Sequence, residues 1–424
     1  MNRERKTPNI PKFNQVIDNN ATLIGYQGRK PVFIPDHAKH VFVCGTTGSG
    51  KTVALTNFVQ HIIYQQLPAV IVDGKGDLGD GSILDVTTKM AMQAGRKLYV
   101  INLSDVSQSD RYNPFKNATP TVAKDMLINM SDWSEEHYKL NAERYIQRIL
   151  QLLELAKIQF SFKRIVGCIP VEKFGELSAH LLKEELITKE EHLENLELAK
   201  TSGKIAQSSM ARFSTIAEGE LKDVLIGDGV DISQAMQENA IILFVLNPLV
   251  FPELSPAFGR LIIIDEKQAI GNLFKSKNQR AFFIMDEISS YATTGLTDLV
   301  NKSRSANVTC VLATQSLSDL DAVKDESFKE QIIENCNNYI IMRQNSPVNA
   351  EHWAEIIGTR QTMDTTYQIQ QQSRVTSTTG LGSARRVREF IYHPEDIKNL
   401  TIGKGIYLSK DTNYHGKIDI NKPF

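Results

Sequence analysis

Apolar residues are laid out along this chain in two patterns. The first is a short unbroken run. Such runs sit within residues 41–44, 69–72, 97–102, 239–245, 281–285, 308–313 and 335–343. A run of four to seven apolar residues without alternation predicts a strand covered on both faces, as in a parallel sheet. The second pattern returns every three or four residues and predicts helices. Val53, Leu55, Phe58, Val59, Ile62 and Ile63 form one such stripe, and residues 81–94 carry another. Residues 21–35 read as two short strands around a turn at Gly28, Arg29 and Lys30. Strand, helix, strand, helix and strand in succession predict an α/β fold with a doubly wound, mostly parallel sheet.

The pattern changes at residue 118. Through residue 235 helical spacing dominates, as in Tyr145, Ile146, Ile149, Leu150, Leu152 and Leu153, and strand signals nearly vanish. An inserted all-helical domain of residues 118–235 is expected. It divides a nucleotide-binding domain into a first half, residues 21–117, and a second half, residues 236–424. Residues 1–20 are polar, contain Pro8 and Pro11, and are expected to form a loose arm. The dense charge of residues 183–200 suits the solvated faces of helices. Lys204, Arg212 and Lys222 form no compact basic patch in the sequence. Residues 362–384, rich in Thr, Gln, Ser and Gly, predict a mobile loop or a surface hairpin.

Composition narrows the classes. The chain has 424 residues, 41% hydrophobic and 23% charged, with net charge −1. That is long enough for more than one domain, and too balanced for a bulk polyelectrolyte partner. A local basic groove remains open. Cys44, Cys168, Cys310 and Cys336 lie far apart without CxxC spacing, so buried thiols in a reducing compartment are expected rather than disulfides or zinc. The longest apolar stretch, residues 240–251, is interrupted by Asn247 and Pro248 and is too short to span a bilayer. The N-terminus lacks the apolar core of a signal peptide. A cytoplasmic protein, or the cytoplasmic part of one, is the expectation.

The chemistry concentrates after the first of the central strands. Gly45, Thr46, Thr47, Gly48, Ser49, Gly50, Lys51 and Thr52 have the Walker A spacing between an apolar strand and an apolar helix. Glycines let backbone N–H groups close around phosphate oxygens, and the helix N-terminus adds its positive end. Lys51 is placed to reach the β- and γ-phosphates of ATP, and the Thr52 hydroxyl to hold Mg2+. The run 281–285 ends in Asp286 and Glu287. In a P-loop protein this is a Walker B arrangement, with Asp286 in the Mg2+ shell and Glu287 orienting the attacking water. An acid next to the metal-holding aspartate argues for hydrolysis. Gln315, at the end of run 308–313, is suited to sensing the γ-phosphate.

Three other features stay open at this level. Asp73, Lys75 and Asp77 follow a strand and either face the nucleotide or a neighbouring subunit, or form a solvated polar loop. Arg304 is either a surface residue or an arginine supplied in trans to the nucleotide of a neighbouring subunit. Arg385, Arg386 and Arg388 are either a solvated strand or a contact to phosphates, of DNA or of an adjacent subunit's nucleotide.

Taken together, these motifs resemble those of the type IV coupling proteins, the TraG/TraD-type motors of conjugation and type IV secretion. The resemblance spans about residues 20–410. It rests on residues 45–52, on Asp73, Gly74, Lys75, Gly76 and Asp77, and on Tyr112, Asn113 and Pro114. It rests also on Asp286 and Glu287, on Arg304 through Val308, on Leu312 through Ser316, on Arg385 through Phe390 and on His393 through Ile397. The resemblance implies a RecA-like P-loop NTPase domain carrying an all-helical domain. It implies a homo-oligomer, a hexameric ring around a channel, with ATP hydrolysed between subunits. Single-stranded DNA with its relaxase would be delivered to a type IV secretion channel at the cytoplasmic face of the bacterial inner membrane. By position Lys51, Thr52, Asp286, Glu287 and Gln315 carry over as the nucleotide site, Arg304 as the trans arginine, and Lys324 as a second trans candidate. Two departures stand out: the transmembrane helices usual at the start of the family, and its acidic C-terminal tail, are not in this sequence. Either this sequence is a piece of a longer chain that carries the anchor, or a separate membrane subunit supplies it. The alternatives are a double-stranded DNA pump or helicase of the same motor class, and a recruitment platform that binds ATP without hydrolysing it. Glu287 and Gln315 argue against the platform.

Overall fold

The structure is a computed structural model, and it describes residues 18, 20–37, 40–130, 133, 135–273, 280–323, 327–372 and 375–423. The chain enters through a hairpin, β1 (Ala21–Gln27) and β2 (Lys30–Pro35). Strand β3 (His40–Cys44) leads into α1 (Lys51–Tyr64), followed by β4 (Ala69–Asp73), α2 (Ile83–Gln93) and β5 (Leu98–Asn102). Next come α3 (Pro120–Asn129), α4 (Glu136–Leu155), α5 (Phe162–Gly167) and α6 (Val171–Lys183). Then follow α7 (Lys189–Leu198), α8 (Lys204–Ser209), α9 (Ala211–Glu218) and α10 (Ile232–Gln237). Strand β6 (Ile241–Val245), α11 (Leu254–Leu273), β7 (Ala281–Met285) and α12 (Thr294–Ser303) return to the sheet. They are followed by β8 (Val308–Thr314), α13 (Phe328–Asn335), β9 (Cys336–Ile341) and α14 (Pro347–Ile357). A long ribbon, β10 (Thr359–Gln372) and β11 (Val375–Phe390), precedes α15 (Pro394–Lys398) and a closing hairpin, β12 (Lys404–Ser409) and β13 (Tyr414–Ile420).

Eleven of these strands form one sheet in the order β2-β1-β13-β12-β9-β3-β8-β7-β4-β6-β5. The seven from β9 to β5 are parallel, and β12, β13, β1 and β2 extend them as an antiparallel edge. The sheet is thus mostly parallel and the class is α/β, as the unalternated runs predict. Strands β3 and β4 are consecutive in the chain but not neighbours in space, because β8 and β7 lie between them.

Alternate residues of each central strand face opposite layers. Val41, Val43, Ala69 and Ile71 pack with Leu55, Phe58 and Val59 of α1 and Val86 and Met90 of α2. Phe42, Cys44, Val70 and Val72 face the other way, into a core holding Phe258 of α11, Leu296 of α12 and Trp353 of α14. The helices between β5 and β6 join this second core through Met126 and Leu127 of α3 and Tyr145, Ile149 and Leu153 of α4. Full burial stabilises each such side chain by about 1.5–3 kcal/mol. Tyr112 and Asn113 fasten the helical segment where it leaves the sheet and where it returns. The Tyr112 N–H donates to the Val224 carbonyl at 2.8 Å, and the Asn113 N–H to the Val230 carbonyl at 2.8 Å. The Asn113 side chain reaches the Phe160 carbonyl at 2.9 Å.

Of residues 362–384, expected as a loop or a hairpin, 362–372 and 375–384 belong to the ribbon of β10 and β11, and 373–374 lie outside the described residues. The N-terminal arm, apart from residues 18 and 20, and Lys324 lie outside the described residues. No helix among the described residues is long and apolar enough to cross a membrane. All four cysteines are free.

Candidate functional site

Because β3, β8, β7 and β4 are parallel neighbours, their carboxyl ends open onto one edge of the sheet. Each end contributes one part of a site. The strand β3 leads into the glycine-rich loop, β8 into Gln315, β7 into Asp286 and Glu287, and β4 ends in Asp73 with Lys75 just beyond.

The glycine-rich loop is tied down at several points. The Gly45 N–H donates to the Thr314 carbonyl at 3.3 Å and the Thr46 N–H to the Arg343 carbonyl at 2.9 Å. The Gly403 N–H donates to the Ser49 carbonyl at 3.0 Å, so the turn before β12 braces the loop from the other side. Gly45 is required by close approach: a Cβ there would sit 2.6 Å from Cβ of Met342 and 2.7 Å from Oγ of Ser49. Lys51 is buried; its Nζ donates to the Gly45 carbonyl at 2.7 Å and lies 3.3 Å from Oε1 of Glu287.

Gln315 joins the two halves of the site. Its Oε1 accepts from the Thr47 hydroxyl at 3.0 Å, and its Nε2 donates to Oε1 of Glu287 at 3.2 Å. Glu287 holds a left-handed backbone conformation, φ 50°, which costs a non-glycine residue roughly 1–3 kcal/mol. The surroundings enforce it. The Glu287 N–H donates to Oδ1 of Asp286 at 3.0 Å, and the Tyr291 hydroxyl donates to the Asp286 carbonyl at 3.0 Å.

Lys75 reaches the same carboxylates. Its Nζ lies 3.5 Å from Oδ2 of Asp286 and 3.5 Å from Oε1 of Glu287. Burial works against its charge, but Asp286, Glu287 and Asp73 outweigh burial and hold its pKa above the usual lysine value. Asp73 accepts from the N–H groups of Lys75, at 2.9 Å, and Gly76, at 3.4 Å. Burial and the neighbouring Asp286 push Asp73 up to about 7. Burial also raises Asp286, with Lys75 opposing the shift. Gly74 lets the two turns touch: a Cβ there would lie 2.6 Å from the Asp286 carbonyl oxygen. The loop after β4 therefore faces this site and is not merely solvated.

Several buried polar atoms around the loop have no hydrogen-bond partner among the described residues: Oδ2 of Asp286, Oγ1 of Thr46, Oγ1 of Thr314 and Nε of Arg343. Acceptors and donors left open on one edge, beside a lysine and a threonine at a helix N-terminus, fit a phosphate chain with a divalent cation. Thr52, half-buried on the first turn of α1, is on the same side.

Arg304 is not part of this cluster. It is exposed in the turn before β8, and Gln315 lies at the opposite end of that strand, about 20 Å away at 3.3 Å per residue. The sequence reading did not identify the brace at Gly403 or the support from Tyr291. Neither has a signal in residue type or spacing. A cavity of about 1120 Å³ lies elsewhere, between Phe213 and Lys222 of the helical segment and Ala257 of α11. It contains none of the residues above.

Two family models match the chain. One, the TraM recognition site of TraD and TraG, covers residues 280–401; the other, the type IV secretion-system coupling protein DNA-binding domain, covers residues 28–81. An uncharacterized protein of Mycoplasma pneumoniae is 31% identical over 100 residues, 24% of this chain and 67% of that protein. Among solved structures, the unbound monoclinic form of the bacterial conjugative coupling protein TrwBdeltaN70 superposes with TM-score 0.67. It shares 18% identity and covers 96% of this chain and 89% of its own. TrwB in complex with ADP and Mg2+ gives TM-score 0.64 at 17% identity, covering 98% and 95%. VirB4 of Thermoanaerobacter pseudethanolicus gives 0.58 at 11% identity, covering 96% and 98%. At these identities the likeness is one of fold, the RecA-like P-loop architecture.

Proposed function

The chain belongs to the type IV coupling proteins, and from that premise we propose that it is an ATP-driven motor of conjugative DNA transfer. Its cargo is single-stranded DNA with a relaxase, delivered to a type IV secretion channel at the cytoplasmic face of the inner membrane. Its working form is a ring, a hexamer by family resemblance, that meets membrane-anchoring or channel subunits.

In this reading the N–H groups of residues 45–50 and the Lys51 ammonium hold the triphosphate. Thr52 and Asp286 hold Mg2+, which when bound offsets the charge of the phosphate oxygens. Lys51 moves from Glu287 to the phosphates as these arrive. Glu287, still oriented by Gln315 and its strained backbone, aligns a water against the terminal phosphorus and takes up its proton as the bond to ADP breaks. Arg304 cannot serve its own subunit across the length of β8. It is exposed, and supplies charge to the phosphates held by the next subunit.

The observation that carries the proposal is the placement of Glu287, within 3.3 Å of Lys51 and 3.2 Å of Gln315 at the mouth of the phosphate loop. The test uses two inactive proteins. Glu287→Gln and Arg304→Ala each abolish DNA-stimulated phosphate release, and mixing them restores part of it, because some interfaces pair an intact Glu287 with an intact Arg304. Mixtures as inactive as the separate proteins would refute the shared site. A wild type that releases no more phosphate than Glu287→Gln would favour the platform.

A further inference from the structure

The ribbon of β10 and β11 is a two-stranded sheet of its own, apart from the eleven-stranded one. An isolated two-stranded ribbon is marginal in water, so its faces call for a partner. Cross-strand register sorts its base into two faces of unlike charge. On one face Arg360 stands opposite Glu389, Thr362 opposite Val387 and Asp364 opposite Arg385. Each arginine there meets an acid, and Thr362 and Val387 are half-buried. On the other face Gln361 stands opposite Arg388, and Met363 opposite Arg386. These four side chains are all exposed, Met363 to 61%, and neither arginine has an acid across from it.

The sequence extends this asymmetry. From Thr365 to Arg388 it holds four arginines and no carboxylate, in a chain whose net charge is −1. The remainder of that segment is mainly Thr, Ser and Gln. Its apolar residues, Tyr367, Ile369, Val375, Leu381 and Val387, stand singly along the sequence and form no cluster of the kind that anchors the core of a protein interface. Hydroxyls and amides set between arginines instead match the groups that contact a nucleic-acid backbone. Arg386 and Arg388 are two residues apart on one face, about 6.8 Å at strand spacing. That is close to the step between phosphates of an extended single strand. Met363, opposite Arg386, offers a soft apolar surface to a base face, and only an unpaired strand exposes base faces.

The geometry points to the Gln361, Met363, Arg386 and Arg388 face of the ribbon as a docking surface for single-stranded nucleic acid. This rests on the cargo reading of the preceding subsection and adds where the cargo is held.

The test is fluorescence anisotropy of the full chain with a labelled single-stranded oligonucleotide and with its duplex, over a range of salt. Two double variants lose equal charge from opposite faces: Arg386→Gln with Arg388→Gln, and Arg360→Gln with Arg385→Gln. The first is expected to weaken single-strand binding by on the order of tenfold at 0.1 M salt. It should lower the slope of log K against log salt by about 1.4, two contacts at about 0.7 each. The second should leave the slope unchanged. Equal losses from both variants, or none from the first, would overturn the inference. So would equal dependence of duplex binding on Arg386 and Arg388. If the first variant alters oligomeric state while its salt slope stays that of the wild type, the face joins copies of the chain and the inference fails. A wild type that binds no oligonucleotide would bring down the cargo reading with it.

Discussion

Among the described residues two adjacent Asp-Glu pairs lie buried, and they have opposite surroundings. Asp286 and Glu287 follow β7, with Lys51 and Lys75 within 3.5 Å and Gln315 hydrogen-bonded. Asp265 and Glu266 lie in the middle of α11, both fully buried. Asp265 accepts from the Tyr112 hydroxyl at 2.8 Å and from the Ile232 N–H at 3.1 Å, and among the described residues no cation is paired with it. Neither carboxyl oxygen of Glu266 has a hydrogen-bond partner among the described residues. Burial drives both well above the usual carboxylate range, Asp231 adding to the shift at Asp265 and Asp265 to that at Glu266. Burial thus favours the protonated form of both. Burial is common to the pairs, so burial does not make a site. The supply of counter-cations, and a backbone strained to aim one carboxylate, separate a reactive pair from a structural one.

The difference can be broken at the reactive pair first. Glu287→Gln keeps the shape and removes the base, so turnover should fall by roughly 10²–10⁴-fold with nucleotide affinity retained. Steady-state phosphate release beside nucleotide titration checks this. Gly74→Ala should come next. A methyl 2.6 Å from the Asp286 carbonyl must push the Asp286 turn away, a cost of about 1–3 kcal/mol of stability, measured by urea unfolding, along with impaired turnover. Lys75→Met removes one of the two cations. Its side chain is 34% exposed, so solvent screens the loss to about 1 kcal/mol. The same substitution has no counterpart at Asp265 and Glu266, which rely on no cation.

The sequence made one of these pairs legible and hid the other. Asp286 and Glu287 end an unbroken run, and a run buried on both faces leaves a signal no amphipathic element imitates. The same holds for the strands at 41–44, 69–72 and 308–313. Asp265 and Glu266 follow Leu261 and Ile262 by one helical turn and precede Ala269 by another, so helical spacing puts them on the apolar face, and only their residue type argues against burial there. What the sequence hides is the partner: Tyr112, arriving from far along the chain, supplies the hydroxyl that Asp265 accepts from. The antiparallel edge was legible in principle: His415, Lys417 and Asp419 alternate outward against Gly416, Ile418 and Ile420. Its place between β1 and β9 was not, because register across such separations is set by packing. The bend at Glu287 has no sequence signal either, since a glutamate does not announce a positive φ.

The smallest net effect near neutrality belongs to Glu266→Gln, and its pH dependence distinguishes the pairs most sharply. In the unfolded chain Glu266 ionises above 4.5, whereas in the folded chain it keeps its proton to a much higher pH. Over that window the folded state binds one more proton, so its stability falls as pH rises, by about 1.4 kcal/mol per unit. Glutamine does not titrate and escapes this loss, but it buries an amide whose donors have no partner, at about 1–3 kcal/mol. The variant should therefore be less stable than wild type near pH 4.5, cross it one or two units higher, and exceed it at pH 8. Urea unfolding across that range measures the crossing. Parallel curves for the two proteins would mean that Glu266 is ionised in the fold, with a counter-charge like that of Glu287, and the contrast between the pairs would be lost.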